Sequence, residues 1–184
     1  MRRKIGVAVT VFALAFGTAA GVSSAENEVP AADGPTALAG TTHMAVQGTA
    51  WVAERPNKFR RWVTFAWGVE TRAEKKTNQW VHIAVPTPTN IDSACRNVAH
   101  IEFCAKAENP TMTAPKKVHI WANQKRVFTQ DIVWPNTTKE YCHKIDFAPA
   151  KWMESVGISV LVGYANRKDK VTLNKAWIVT VPAP

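Results

Sequence analysis

The chain has 184 residues, of which 46% are hydrophobic, and its 23 lysine and arginine residues outnumber the 14 acidic residues, giving a formal net charge of +9. This length is enough for one domain with a hydrophobic core and argues against two. The basic residues are dispersed in short groups beside turn residues, a pattern typical of a solvated surface that could attract an anionic polymer or an acidic protein. The chain lacks the G-x-S-x-G, H-E-x-x-H, C-x-x-C and Gly-rich phosphate-loop motifs, which argues against the enzyme classes that depend on them.

Residues 1–25 are predicted to be a cleavable signal peptide. The chain opens with basic residues, an apolar run follows over residues 5–22, and small residues lead up to Ala25, where signal peptidase needs them. A retained membrane anchor is the alternative, but Gly, Ala and Thr dilute the run, which is only marginally long enough to span a bilayer. Cleavage after Ala25 would lower the formal net charge from +9 to +6. The mature protein is therefore expected to be secreted and free of the membrane, and its export argues against nucleic acid as a ligand.

Residues 26–41 are predicted to form a flexible N-terminal tail. The segment is rich in Ala, Gly and Pro and holds no large apolar residue beyond Val29 and Leu38, so it cannot bury enough surface to fold alone. Two interpretations stay open. The tail is either a loose remnant of signal cleavage or a segment that orders on a larger partner as an added strand. In the second case Val29, Pro30 and Leu38 are the candidate docking residues.

Short β-type runs separated by turn chemistry fill the predicted domain, residues 42–184. Several runs alternate in steps of two, so that Val118 and Ile120 share one face, as in a half-buried antiparallel strand. Many short strands without intervening helices predict an all-β fold of two antiparallel sheets, a jelly-roll-like β-sandwich, with a closed barrel as the alternative. The nine predicted strands are residues 44–52, 62–69, 80–85, 98–105, 118–121, 126–133, 141–147, 158–164 and 171–181.

Three cysteines, Cys95, Cys104 and Cys142, would meet an oxidising environment outside the cell. One disulfide and one free thiol are therefore expected. Alternation places Cys104 and Cys142 on the outward faces of their strands, so a cross-strand bridge can join them if the two strands are neighbours. This pairing is favoured, and a bridge from Cys95 to either of the others stays open.

Eight tryptophans are a high number for a domain of this size. Each aromatic ring buries about 150–250 Å², so most of them are expected to help fill the core. Trp121 lies opposite Ile120 on the polar side of its strand, and it is a candidate binding residue that stacks on a sugar ring or anchors a protein contact. Trp134, in the turn sequence Trp134-Pro135-Asn136, is the second candidate.

Five histidines stand singly within or beside the predicted strands. The nearest approach to a metal-ligand cluster is His100-x-Glu102-x-Cys104 along one strand face, but an oxidised Cys104 could not bind a metal. We therefore expect a polar sheet face there, with no metal site and no cofactor. The scattered acidic residues single out no carboxylate pair for glycoside hydrolysis, so a hydrolase is the least favoured function and a non-enzymatic protein is expected.

Two segments resemble a known family. They are Phe65-Ala66-Trp67-Gly68-Val69-Glu70 and residues 78–88, NQWVHIAVPTP. The chain is similar to an uncharacterised group of small bacterial secreted β-sandwich domains marked by W-G-x-E and then W-x-H-I-x-[IV]-P-T-P, and the agreement spans residues 44–182. The resemblance implies the fold and no assigned activity. This chain departs from the family in its three cysteines and in Ala84, where a second proline is usual.

The second motif also has a direct physical interpretation. Val81, Ile83 and Val85 are predicted to share one face of the strand, with Trp80, His82 and Ala84 on the other. The prolines that follow end the strand. His82 is therefore interpreted as a hydrogen-bonding residue of a sheet face and not as a catalyst.

Size, predicted export, fold and tail together resemble the adaptor subunit of umbrella-shaped antibacterial toxin particles of Streptomyces. The resemblance implies that an N-terminal segment inserts into a larger protein and that the sandwich carries a lectin-like subunit. The favoured function is accordingly a secreted, non-enzymatic adaptor that bridges secreted protein partners in a larger complex. The alternative is a secreted carbohydrate-binding, lectin-like module whose exposed tryptophans stack on sugars.

Overall fold

Two antiparallel sheets build the domain. The computed structural model describes residues 40–91 and 94–184, and within these ranges every strand pairing is antiparallel. The predicted all-β, two-sheet fold is confirmed. The strands are β1 Thr42–Val46, β2 Val52–Ala53, β3 Phe59–Phe65, β4 Gly68–Ala73, β5 Thr77–Val85, β6 Asn90–Ile91, β7 Ala94–Ala107, β8 Ala114–Ala122, β9 Lys125–Asp131, β10 Tyr141–Lys151, β11 Val156–Tyr164 and β12 Val171–Pro182.

The strand order brings distant segments together. The larger sheet has the order β10-β7-β12-β4-β3, with β1 paired to β12 and β6 paired to β7. The smaller sheet has the order β2-β5-β11-β8-β9. Because β5, β11 and β8 are hydrogen-bonded neighbours, the outward side chains of three separate parts of the sequence lie on one face.

Alternation along the strands sorts side chains into core and surface. On β5, Val81, Ile83 and Val85 are at most 2% exposed, and on β8 Val118 and Ile120 are fully buried. The predicted inward faces of these two strands are thus confirmed. Burying each such side chain stabilises the fold by about 1.5–3 kcal/mol, so the core holds the strand register that orders the opposite face.

The described residues form more strands than the nine predicted. The predicted strand 44–52 is broken by a short 3-10 turn, Gly48–Ala50, which separates β1 from β2. The predicted strand 62–69 is a hairpin, in which Ala66 and Trp67 form the turn between β3 and β4. Neither break shows the Asn-Gly or Asp-Gly signal of a tight hairpin, so the continuous apolar pattern predicts a single strand at each place. β6 is the further short strand.

Gly48 and Gly68 pack against β12 between its pairings with β4 and β1. A Cβ atom at Gly68 would overlap the carbonyl oxygen of Leu173, and one at Gly48 would lie 2.7 Å from the Cα of Gly68. Trp51 closes the same region, because it is 2% exposed and its Nε1 donates a hydrogen bond to the carbonyl of Asn174 at 2.8 Å. The glycine of W-G-x-E therefore permits a close contact between backbones.

Glu70, the acid of W-G-x-E, is the centre of an ion-pair network. Its carboxylate lies 2.7 Å from Arg61 Nε, 3.7 Å from Arg72 Nη2 and 3.4 Å from Lys170 Nζ. A hydrogen bond to Glu108 raises the pKa of the Lys170 ammonium, to which Glu70 contributes further. Glu70 thus joins β3, β4 and the residue that precedes β12.

The disulfide joins the two strands of one edge of the larger sheet. Cys104 on β7 and Cys142 on β10 are direct cross-strand partners with Cα atoms 4.0 Å apart, and their sulfurs are bonded. The favoured pairing is confirmed, and Cys95 is free and exposed. The predicted outward face does not leave Cys104 exposed, because Cys104 is fully buried between the core residues Phe103 and Ala105. A Glu140 carboxylate oxygen lies within 4.8 Å of both sulfurs. Since the sulfurs are bonded to each other, neither can serve as a metal ligand.

Several predictions about the N-terminus fall outside the described residues. They concern the signal peptide, residues 1–25, and the candidate docking residues Val29, Pro30 and Leu38 of the tail. Within residues 40–91 and 94–184, no helix reaches the length and apolar character that a membrane crossing requires.

Removal of the disulfide is expected to destabilise the sandwich. The double variant Cys104→Ser/Cys142→Ser frees two strands with a sequence separation of 38 and should lower the free energy of unfolding by about 2–4 kcal/mol. Urea unfolding without reductant measures the change. Cys95→Ser is the matched control and should stay within about 0.5 kcal/mol of the parent. A double variant as stable as this control would contradict a structural role for the bridge.

Substitution of Gly68 is also expected to lower the stability of the domain. Gly68→Ala places a methyl group against the Leu173 carbonyl and should lower the free energy of unfolding by about 1–3 kcal/mol. Gly157→Ala is the control, because its new Cβ comes no closer than 3.5 Å to Trp121 Cβ. Thermal unfolding compares the two variants, and an equal loss in both would show that the close backbone contact is not what Gly68 provides.

Candidate functional site

The outward face of the smaller sheet gathers aromatic and polar side chains from β5, β8 and β11. The register places Ser159 between His82 and His119 in one row across the sheet. Trp80 and Trp121 lie in the rows on either side of this one. We refer to the surface formed by Trp80, His82, His119, Trp121 and Ser159 as the aromatic face.

Small residues on β11 leave room for the rings. Gly157 and Ser159 lie between the larger side chains of β5 and β8. Trp121 Nε1 donates a hydrogen bond to Ser159 Oγ at 2.9 Å, so its ring leans from β8 across β11. The ring centroids of Trp80 and His119 are 4.5 Å apart although β11 separates their strands. Both indoles are half-buried, and their remaining surface forms an aromatic platform on the sheet.

Ser159 links His82 to Trp121. Its side chain is buried, at 6% exposure, and its Oγ lies 2.8 Å from His82 Nδ1. Because the indole N–H can only donate, the Ser159 hydroxyl accepts from Trp121, and its own proton is free to donate to Nδ1 when the imidazole carries its proton on Nε2. His82 Nε2 lies 4.0 Å from Glu54 Oε2. The interpretation of His82 as a hydrogen-bonding residue of the sheet face is confirmed.

Ser159, His82 and Glu54 stand in the order of a nucleophile, a base and an acid, but their position does not suit nucleophilic catalysis. A catalytic serine needs N–H donors around the developing oxyanion. β11 is a central strand whose backbone is paired to β5 on one side and to β8 on the other. The Ser159 hydroxyl is also occupied by Trp121. Ser159 instead holds the Trp121 ring in place through this hydrogen bond.

The two imidazoles of the aromatic face are held in their neutral forms. Burial lowers the pKa of His82, and the nearby Glu54 carboxylate raises it by a smaller amount. Burial also lowers the pKa of His119, and the positive charges of Arg126 and Lys117 lower it further. Because both values lie below the ordinary 6.5, the face presents uncharged hydrogen-bonding rings near pH 7.

The two predicted binding tryptophans lie in separate places. Trp121 belongs to the aromatic face. Trp134 follows β9 and is half-buried, with its ring centroid 6.3 Å from that of Phe103 and 5.0 Å from that of Tyr141. It lines a cleft of about 780 Å³ that also includes residues at the starts of β5 and β8. The structure thus places the two residues at two different surfaces.

The expectation that most tryptophans fill the core is wrong. Of the eight, Trp51 alone is fully buried, and Trp62 and Trp134 pack against the core from its edge. Trp67 and Trp152 are 63% and 48% exposed. Most inward positions are taken by branched aliphatic side chains, and Trp80 and Trp121 lie on the outward face of the smaller sheet.

Sequence reasoning missed Ser159 and His119 as parts of the site. Alternation alone shows that Trp80 and His82 share a face, but it does not tell which strand lies beside β5. The available signal was the pair of small residues, Gly157 and Ser159, on the outward side of a strong apolar strand. Such residues beside aromatic neighbours indicate that rings lie across the strand.

The described residues therefore define a two-sheet β-sandwich with an aromatic surface on its smaller sheet. No family model and no curated protein matches the chain. Among solved structures, the chain is similar to the CBM36-1 domain of a multidomain xylanase from the hindgut metagenome of Trinervitermes trinervoides. The two share 11% identity over 74% of this chain and 96% of that one, with a TM-score of 0.46.

Two further solved structures are similar to the same extent. TmCBM61 in complex with β-1,4-galactotriose shares 9% identity over 74% of this chain and 86% of that one, with a TM-score of 0.45. A family 35 carbohydrate binding module from Clostridium thermocellum shares 10% identity over 73% of this chain and 97% of that one, with a TM-score of 0.44. Likeness at this level carries no argument about the ligand of this chain. The two resemblances noted in the sequence are not addressed by these comparisons and stay predictions.

Acidification is expected to destabilise the domain through its histidines. Folding lowers the pKa of His82 and His119 below 6.5, so the unfolded chain binds more protons than the folded chain between the folded and unfolded pKa values. The stability that comes from keeping these two histidines neutral is fully present above pH 6.5. It is lost as the pH falls from 6.5 towards their lower pKa values in the folded protein.

Thermal unfolding at about pH 7.5 and about pH 5.5 measures the loss. His82→Gln should reduce the difference between the two melting temperatures, whereas Trp152→Ala, which removes an exposed side chain but no titratable group, should leave it unchanged. A pH dependence that is the same in both variants would contradict the assigned role of His82.

Proposed function

We propose that this chain is a secreted, non-enzymatic module that binds carbohydrate on the aromatic face. The observation that supports this proposal is the pair of half-buried indoles, Trp80 and Trp121, laid across β11 beside neutral imidazoles. A sugar ring offers an apolar C–H face to a flat aromatic surface and hydroxyl groups to donors and acceptors at its edge. The aromatic face combines both kinds of partner.

The residues of the aromatic face have different roles in the proposed binding. The hydrogen bond to Ser159 fixes the Trp121 ring before a ligand arrives, which reduces the entropy lost on binding. Trp80 is held by its packing against His119. Glu54, whose side chain is 43% exposed, can accept a hydrogen bond from a sugar hydroxyl beside the rings.

Loss of either platform ring is expected to weaken carbohydrate binding. Trp80→Ala and Trp121→Ala should each lower the affinity by about tenfold or more, because each removes a flat apolar surface. Affinity electrophoresis against a panel of soluble polysaccharides identifies a ligand, and calorimetry of the purified variants measures the affinities.

Trp152→Ala is the matched control, because Trp152 is 48% exposed but belongs to the segment between β10 and β11 and not to the aromatic face. Circular dichroism checks that each variant is folded. The proposal would fail if no polysaccharide bound the parent protein, or if the control lost as much affinity as the two platform variants.

An adaptor of secreted protein partners is the second candidate function. One observation favours it. Trp67, 63% exposed at the tip of the β3–β4 hairpin, stacks on Phe65 with centroids 5.0 Å apart and an interplanar angle of 8°. Exposed aromatic residues of this kind anchor protein contacts. Purification from the native culture supernatant separates the two functions. An adaptor should lose its co-purifying proteins when Trp67 is replaced by alanine or when residues 26–41 are deleted. Trp121→Ala should leave those proteins bound.

A further inference from the structure

A second surface lies at the end of the smaller sheet. Here the cleft of about 780 Å³ is bordered by the starts of β5 and β8 and by Trp134. This volume falls within the range of about 300–1,000 Å³ that is typical of small-molecule sites. Its lining combines an aromatic and a thioether side chain, Trp134 and Met112, with the amides of Asn78 and Asn136. Such a mixture suits a ligand that has both apolar faces and hydroxyl groups.

The charged side chains of this cleft are all of one sign. Lys76 and Lys116 line it, and no acidic residue is among the described residues that do so. Neither lysine has a carboxylate partner within 4.0 Å in the described ranges. Lys117, the next residue along β8, is by contrast paired with Asp131 at 3.1 Å. The cleft therefore has an uncompensated positive charge, which favours an anionic group.

The backbone sets the position of one of these charges. The register of β11 against β8 shifts between Leu161 and Val162, and Lys116 is the extra residue of the resulting bulge. A Cβ atom at Gly163 would lie 2.6 Å from Lys116 Nζ and 2.7 Å from its Cδ. The lysine stem therefore lies directly against the Gly163 backbone. A methyl group at this position would force the end of the lysine side chain to move.

The cleft is continuous with the aromatic face. Asn78 lines both the cleft and a shallow depression of about 330 Å³ whose wall includes Trp80. Asn78 and Trp80 are two residues apart on β5, so their side chains point to the same side of the sheet. An extended ligand that stacks on Trp80 can therefore continue past Asn78 to the two lysines.

We infer that the ligand of the aromatic face is an acidic polysaccharide of the uronate type. Its sugar rings stack on Trp80 and Trp121, and a carboxylate further along the chain binds Lys76 and Lys116 in the cleft. This inference rests on the proposed carbohydrate binding. A sugar polymer fits better than an acidic peptide, because the platform and the amides of the cleft match rings with hydroxyl groups.

Polygalacturonate and its fully methyl-esterified form are a matched pair of probes, since they share one backbone and differ in carboxylate charge. Calorimetry at low ionic strength should show that the parent protein prefers the acid form. Lys76→Gln and Lys116→Gln should each lower that affinity by about three- to tenfold, and added salt should reduce the difference. Gly163→Ala should act like Lys116→Gln, because it displaces the ammonium without removing it.

Lys144→Gln is the control of equal net charge. Lys144 lies on the larger sheet, paired with Asp146 at 2.8 Å, and its removal should leave the affinity unchanged. Three outcomes would overturn the inference. The acid and the ester could bind equally well, the control could lose as much affinity as the cleft variants, or polyglutamate could bind equally tightly at the cleft. If neutral polysaccharides still bind in a way that depends on Trp80 and Trp121, the proposed function survives that result. If no polysaccharide binds at all, both proposals fail.

Discussion

The small outward side chains of β11 are the constraint on which the aromatic face depends. Gly157 and Ser159 leave a shallow strip between β5 and β8, and the rings of Trp80 and Trp121 lie across it. Replacement of Ser159 by an apolar residue would remove the hydroxyl that holds the Trp121 ring. The inward side chain between Gly157 and Ser159, Ile158, is fully buried, so the same strand fixes both the core and the face. Core packing thus holds the register that brings the functional side chains together.

The two family-like motifs take different parts in this arrangement. In W-G-x-E, Gly68 makes room for the β12 backbone, and Glu70 forms ion pairs with three basic side chains. These are structural contacts in the larger sheet. In W-x-H-I, Trp80 and His82 lie on the aromatic face while Ile83 enters the core. A motif of ordinary β-strand alternation thus supplies two of the five residues of the aromatic face, and strand pairing brings the other three from β8 and β11.

Local patterns in the sequence were sufficient for some features and not for others. Two-residue alternation predicted the inward faces of β5 and β8, and outward parity made the Cys104–Cys142 bridge the favoured one. The full burial of Cys104 could not be predicted, because alternation assigns a face of the strand and does not show what packs over that face. The breaks at Gly48 and at Ala66-Trp67 carry no Asn-Gly or Asp-Gly signal of a tight hairpin. The site could not be assembled from the sequence, since the β5-β11-β8 order joins segments that lie far apart in the chain.

Indole resonances offer the most direct test of the proposal that carbohydrate binds on the aromatic face. The protein has eight tryptophans, whose side-chain N–H signals can be assigned with single Trp→Phe variants in a nitrogen-edited NMR spectrum. Titration with the polysaccharide that binds best should move the signals of Trp80 and Trp121 in a saturable manner and leave those of Trp67 and Trp152 in place. Shifts confined to Trp67 or Trp152, with Trp80 and Trp121 unmoved at saturation, would contradict binding on this face.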